Sequence, residues 1–208
     1  MRGVRIFRLA VWAAIVLLGG FLLISMQIPE SRIASQTTTT GTAKVGGPFS
    51  LLTPTSDRVD NQSLSGRPYV AFFGFTYCPD ICPTTLFELT DLMAELGPDA
   101  DSFEVIFITV DPERDTPAAL ASYMTSFDSR ITALRGSATE TENALESFSA
   151  YAKKVPLETG GYTMDHTAGV FLIRPDGGFA GMMDMHEPRE TKLEKLRRLA
   201  RMTDAAQG

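Results

Sequence analysis

PYVAFFGFTYCPDICPTTLFEL, residues 68–89, changes character half-way along. From Tyr69 to Phe75 it is an unbroken apolar, aromatic-rich run, the pattern of a strand buried on both faces. The run stops at Thr76-Tyr77-Cys78-Pro79. Beyond it apolar residues return at helical spacing, at Leu86, Leu89, Leu92, Met93 and Leu96, until Gly97-Pro98 ends the pattern. The stretch predicts a buried strand that feeds a helix, with Cys78 and Cys82 at the junction.

The flanking sequence repeats this alternation. FEVIFITV (103–110) is a second buried strand, and its exit loop DPERDTP (111–117) leads to a helix with Thr116 as N-cap and Pro117 in the first helical position. ITALRG (131–136) reads as a short strand, and 139–152 as a helix with Leu145 and Phe148 inward. AGVFLIR (168–174), the turn Pro175-Asp176-Gly177-Gly178 and FAGMMDM (179–185) form a hairpin, and 189–202 close the chain as a helix. Buried strands alternating with helices predict an α/β sandwich, a central mixed sheet flanked by helices. Element order alone leaves several α/β folds open. The cysteines at a strand-to-helix turn select the thioredoxin-like one.

In front of this domain, residues 1–29 carry Arg2, Arg5 and Arg8 and no acid, and the run LAVWAAIVLLGGFLLISM is almost wholly apolar. About 20 such residues suffice to cross roughly 30 Å of hydrocarbon. The arginines orient the segment with its N-terminus cytoplasmic and send the rest across. A cleavable signal peptide is the competing reading, but its apolar region is shorter and is followed closely by a small-x-small site, whereas MQIPESR follows here. Either way the domain is exported. With only eight residues before the span there is no space for a mitochondrial transit peptide, so a single-pass protein of a bacterial inner membrane, facing the periplasm, is expected. Residues 30–46, Thr-rich and aperiodic, read as a flexible tether, and 47–203 as the folded domain.

Composition supports a globular chain, 44% hydrophobic and 21% charged. Three of its 19 basic residues lie in the anchor, which leaves 16 against 25 acids, a formal charge of −9. Phosphate backbones repel such a domain, so nucleic acid is excluded as a partner.

Cys78 and Cys82 close too small a loop to act as a structural staple, and they read as a site. On a helix, positions i and i+4 share a face with Cβ atoms roughly 5–6 Å apart, so two sulfurs can meet on one metal ion or form a disulfide. The free N–H groups of a helix N-terminus stabilise thiolate, and Pro79 and Pro83 stiffen the loop. Of the two histidines, His166 directly precedes the strand AGVFLIR, beside the active turn in such a fold. Two thiolates and an imidazole form a soft set for Cu(I), Cu(II) or Zn(II), and ligand type alone does not separate copper from zinc.

FFGFTYCPDICPTTL (72–86), ITVDPERDTP (108–117) and YTMDHTAGVFLIRPDG (162–177) resemble the Sco/SenC family, membrane-anchored copper proteins of cytochrome c oxidase biogenesis. The resemblance runs from about Gly47 to about Arg201. It implies that Cys78 and Cys82 are the C-x3-C copper ligands and that His166 completes a Cys2His site, with Asp80 and Asp165 also matching the pattern. Asp165, beside the histidine, is expected to orient the imidazole. The implied work is delivery of copper to the oxidase's binuclear copper centre, with the copper-bearing oxidase subunit and other periplasmic copper chaperones or thiol reductants as partners.

A second function stays open: a thiol–disulfide oxidoreductase in which Cys78 attacks and Cys82 resolves, reducing the oxidase's copper-site cysteines. Peroxidase chemistry of the peroxiredoxin type wants Thr three residues before the reactive cysteine, where Phe75 stands. Strand alternation places Met183 and Met185 on one face and Met182 on the other, which speaks against a second copper site with His186. Asp111, Glu113 and Asp115 match no cation loop, and Asp115-Thr116-Pro117 is accounted for by helix capping. Gly160-Gly161 suggests a mobile loop that lets His166 swing.

Overall fold

The computed structural model describes residues 45–206, with side chains as far as Met202, together with Trp12. The expected anchor (1–29) and nearly all of the expected tether (30–46) lie outside the described residues. Among those described, no helix is long and apolar enough to cross a membrane.

Two parallel pairings build the heart of the fold. Strand β3 (Tyr69–Gly74) runs parallel to β4 (Glu104–Thr109), and β4 parallel to β5 (Ile131–Leu134). On the other side of β3 lies β8 (Val170–Ile173), antiparallel to it, and then β9 (Phe179–Met183). The order β5-β4-β3-β8-β9 makes a mixed five-stranded sheet. Every residue of β3 is buried, as its continuous apolar run requires of a central strand covered on both faces. This is the thioredoxin-like sandwich expected from the sequence.

Helix α1 (Ile81–Leu96) leaves the carboxyl end of β3 and passes into a 3-10 turn (Gly97–Ser102). Helix α2 (Pro117–Met124) starts as predicted, with the Thr116 hydroxyl accepting from the Ala119 N–H at 3.2 Å. Helix α4 (Arg189–Ala206) packs on α1, and ion pairs Lys192–Glu88 and Arg189–Glu95 join the two. On one face of the sheet Phe148 sits among Tyr69, Phe73, Phe171 and Phe49, ring centroids 5.3–6.4 Å away.

The helix expected over 139–152 is shorter. Helix α3 spans Ala138–Ser147, opened by a capping box between Ser137 and Glu140. Phe148 ends it fully buried, and Ser149 takes a φ of 51° that turns the chain away. Residues Ala152–Pro156 form β6, paired antiparallel with β7 (Tyr162–His166) so that Ala152 faces His166. Nothing in Ala-Lys-Lys-Val-Pro announces a strand, because four of its five residues are exposed and no apolar alternation results. Gly160 and Gly161, at φ 90° and 78°, close this hairpin in backbone conformations costly for other residues. A short pair, β1 (Ser50–Leu52) with β2 (Arg58–Asp60), was also absent from the sequence pattern.

Candidate metal centre

The chain leaves β3 at Gly74, turns through Phe75–Asp80 and enters α1 at Ile81. Cys82 therefore lies in the first helical turn, buried, while Cys78 lies in the preceding turn, half-buried. The two cysteines do not share a helical face, as their spacing suggested. A non-helical turn brings them together, and it does so by a hydrogen bond. The Cys82 N–H, one of the first-turn donors without an intrahelical partner, donates to Cys78 Sγ at 3.3 Å. That sulfur takes the part of a capping oxygen. Asp80, at the N-cap position, makes no side-chain cap and accepts instead from the Thr84 hydroxyl at 3.3 Å.

Gly74 makes room for the inner sulfur. A Cβ there would stand 2.7 Å from Phe107 Cε2 and 2.9 Å from Cys82 Sγ, closer than carbon and sulfur tolerate.

His166 is the last residue of β7, and its Nε2 lies 3.5 Å from Cys82 Sγ. Its Nδ1 meets the Thr167 carbonyl oxygen at 3.0 Å. A carbonyl only accepts, so the proton belongs on Nδ1, and the Nε2 lone pair faces the sulfur. The expected orienting role of Asp165 is not what the structure shows. Its side chain is exposed, and the backbone carbonyl holds the ring. Phe72 and Phe75 stand edge-on to the imidazole, at 6.4 and 5.7 Å between centroids.

The ligand atoms of Cys78, Cys82 and His166 all lie within 4.8 Å of one another. Metal–sulfur and metal–nitrogen bonds of about 2.3 and 2.0 Å would draw such atoms only slightly closer. Among the described residues no other group of three or more His, Cys, Asp or Glu side chains converges in this way. Both cysteines are free thiols, and the donor set is a soft one.

The two thiols are electrostatically unlike. A hydrogen bond from the Cys82 thiol, with the N–H groups of Asp80 and Cys82, brings the Cys78 pKa down to about 4 against the cost of desolvation. Cys82, which supplies that hydrogen bond and is buried, is pushed far up. The site thus carries one thiolate, at the mouth, and one thiol, at the floor.

Sequence reading missed the residues that brace these ligands. Asp115 is fully buried and accepts from the Thr76 N–H at 3.1 Å, from the Thr76 hydroxyl at 2.6 Å and from the Thr109 hydroxyl. Capping accounts for Thr116 but not for this carboxylate, which ties the cysteine turn to β4. Arg114 pairs with buried Asp111 and lies 3.8 Å over the Tyr162 ring. A run of charges between a buried strand and a helix start, inside one of the three motifs that carried the resemblance, was the available signal. The methionines also fall differently. Met183 is buried in the core, but β9 ends there, so Met185 turns to line a cavity beside α1 with Met182 and His186.

The model of the family described as SCO1/SenC matches residues 37–201. The chain belongs to the SCO1/SenC family. The SCO2 homolog of Danio rerio mitochondria is 42% identical over 136 residues, 64% of this chain and 49% of that protein. The chain thus spans about half the length of that relative. Among solved structures, Bradyrhizobium japonicum ScoI with copper bound superposes with a TM-score of 0.69 at 44% identity, over 74% of this chain and 99% of that one. BsSco, described as a member of the Sco family of cytochrome c oxidase assembly proteins, superposes at 0.60 with 26% identity, over 76% and 94%. The SCO1/SenC match takes in the cysteine turn, the 111–117 loop and the histidine strand, the three motifs that carried the resemblance.

Proposed function

We propose that this chain binds copper through Cys78, Cys82 and His166 and hands it to the copper-bearing subunit of cytochrome c oxidase during assembly of that enzyme's binuclear copper centre. One observation carries the reading: three soft donor atoms within 4.8 Å of one another, in a fold whose relative ScoI is known with copper bound. Two sulfurs and one imidazole satisfy copper and leave a coordination position free. An incoming thiolate or imidazole of the acceptor can add there before a resident ligand leaves, so the ion never passes through water. The tethered, exported position expected from residues 1–46 suits this work, in a bacterial inner membrane with the domain in the periplasm and with other periplasmic copper chaperones or thiol reductants upstream.

The test is copper binding by the full chain. His166→Ala should weaken binding while leaving the fold intact, and Cys78→Ser or Cys82→Ser should abolish tight binding. Wild-type affinity in the histidine variant would refute the three-ligand site.

The unequal thiols favour a second reading, reduction of the oxidase's copper-site cysteines. The Cys78 thiolate would attack the target disulfide and expel one thiolate. Cys82 would then lose its proton and displace the second, leaving a Cys78–Cys82 disulfide that an external thiol must reduce again. Turnover of a disulfide substrate by metal-free protein, unaffected by His166→Ala, would favour this over delivery.

A further inference from the structure

His166 belongs to a small sheet of its own. Among the described residues, strands β6 and β7 pair only with each other, and no ladder hydrogen bond joins the strand of the imidazole to the central sheet that carries the cysteine turn. Two halves of one site thus hang on separate sheets, and something must fix their separation.

The ties converge on the loop between β4 and α2. Arg114 Nη1 donates to the Tyr162 carbonyl at 2.9 Å, and the Tyr162 hydroxyl donates to Asp111 Oδ1 at 2.9 Å. Asp111 is buried and ion-paired with Arg114, and Lys154 of β6 pairs with Glu113. The same loop grips the cysteine side. Asp115 holds the backbone and hydroxyl of Thr76, two residues before Cys78. The Arg114 guanidinium also lies 4.8 Å over the Tyr77 ring, with Tyr162 on its other contact. Its buried Nη2 has no hydrogen-bond partner, so the aromatic rings and Asp111 decide its orientation.

We infer that the Asp111–Asp115 loop sets the distance between the thiols and the imidazole, with Arg114 as the positioning residue for His166. The consequence for copper rests on the function proposed above. Only a planar fork can stack on rings, pair with a carboxylate and donate to a carbonyl at once, so lysine is no substitute. Glu113 and Lys154 add an exposed pair at the hairpin's edge, which contributes little.

The experiment uses the full chain carrying Asp111→Asn with Arg114→Met, which removes both charges and strands no buried carboxylate. Tyr162→Phe is a milder companion, keeping the ring and losing the hydroxyl, and it carries the test if the double variant does not fold. With Cu(I) in competition with a chromophoric chelator, the double variant should bind about tenfold to a hundredfold more weakly, the range for loss of a partner that orients a metal ligand. Introduced on top of His166→Ala, the same changes should cost nothing further. The Cu(II) form should lose the nitrogen splitting of imidazole in its electron paramagnetic resonance spectrum. In metal-free protein, amide exchange in β7 should quicken while β3 stays protected. An unchanged affinity with nitrogen splitting retained, or an equal loss with and without His166, would overturn the inference. Should wild-type protein hold no copper, the functional reading falls, and unchanged β7 exchange in the variant is then the result that overturns the clamp.

Discussion

The Cys82 N–H points at the Cys78 sulfur across 3.3 Å and adds to the hydrogen bond from the Cys82 thiol, the main cause that separates the two cysteines chemically. It helps to hold Cys78 as thiolate, with a pKa of about 4, and the burial of Cys82 together with its hydrogen bond to that thiolate keeps the second proton on. In metal-free protein, iodoacetamide should modify Cys78 alone. Because the Cys78 pKa lies below the working range, its alkylation rate should stay nearly flat from about pH 8 to about pH 5 rather than fall tenfold per unit, as for an ordinary thiol. Mass spectrometry of the modified peptides checks both points. A rate that climbs steeply between pH 6 and 8 would remove the stabilised thiolate.

Copper retention should fail in acid. Ligation needs the Nε2 lone pair, and a proton on Nε2 competes for it. Affinity should therefore fall as pH falls, the more so because the Cys82 thiol, held protonated by its hydrogen bond to Cys78 and by burial, must also shed its proton to bind. A titration against a pH-insensitive chelator should show this decline in wild type and a shallower one in His166→Ala. Copper held unchanged to distinctly acid pH would count against histidine ligation.

Gly74→Ala should damage the site without touching a ligand. The added methyl meets Phe107 and Cys82 Sγ at 2.7 and 2.9 Å, and both residues are fully buried. Overpacking of this kind costs about 1–3 kcal/mol. Copper affinity should drop along with the urea midpoint. An alanine variant with both unchanged would show that Cys82 is held less tightly than its surroundings imply.

Asp115→Ala removes a fully buried carboxylate and strands the N–H and hydroxyl of Thr76 and the hydroxyl of Thr109. A loss of about 3 kcal/mol in stability is expected, against about 1 kcal/mol for Thr76→Val, which leaves the backbone N–H paired with the carboxylate. Denaturant unfolding of the two variants gives the ratio. Similar small losses in both would mean that the carboxylate is not the tie described.

The central sheet was legible because burial on both faces writes itself as continuous apolar sequence in 68–75 and 103–110. The cysteine pair was legible too, being local and rare. What escaped has a common physical cause. Strand β6 is mostly exposed and β7 only partly buried, so no periodic pattern marks the hairpin, and the 139–152 helix was overextended into it. Asp115, Arg114 and Tyr162 act by polar contacts across 39 to 51 residues, which leave no spacing to read. His166 was placed by family resemblance rather than by local pattern. Its geometry also departs from the reading of its neighbour: the carbonyl of Thr167, not Asp165, turns the ring.

The inner cysteine is anchored in a helix and sealed behind β3, whereas the outer one rides on a turn at the surface. An approaching acceptor can reach only the outer sulfur and the imidazole at first. Any ion seated here would be unwrapped in a set sequence, peripheral bonds exchanging early and the deep thiolate letting go last. On the delivery proposed above, the floor residue would be the last to let go, and an ion would leave only by the side on which Cys78 and His166 stand.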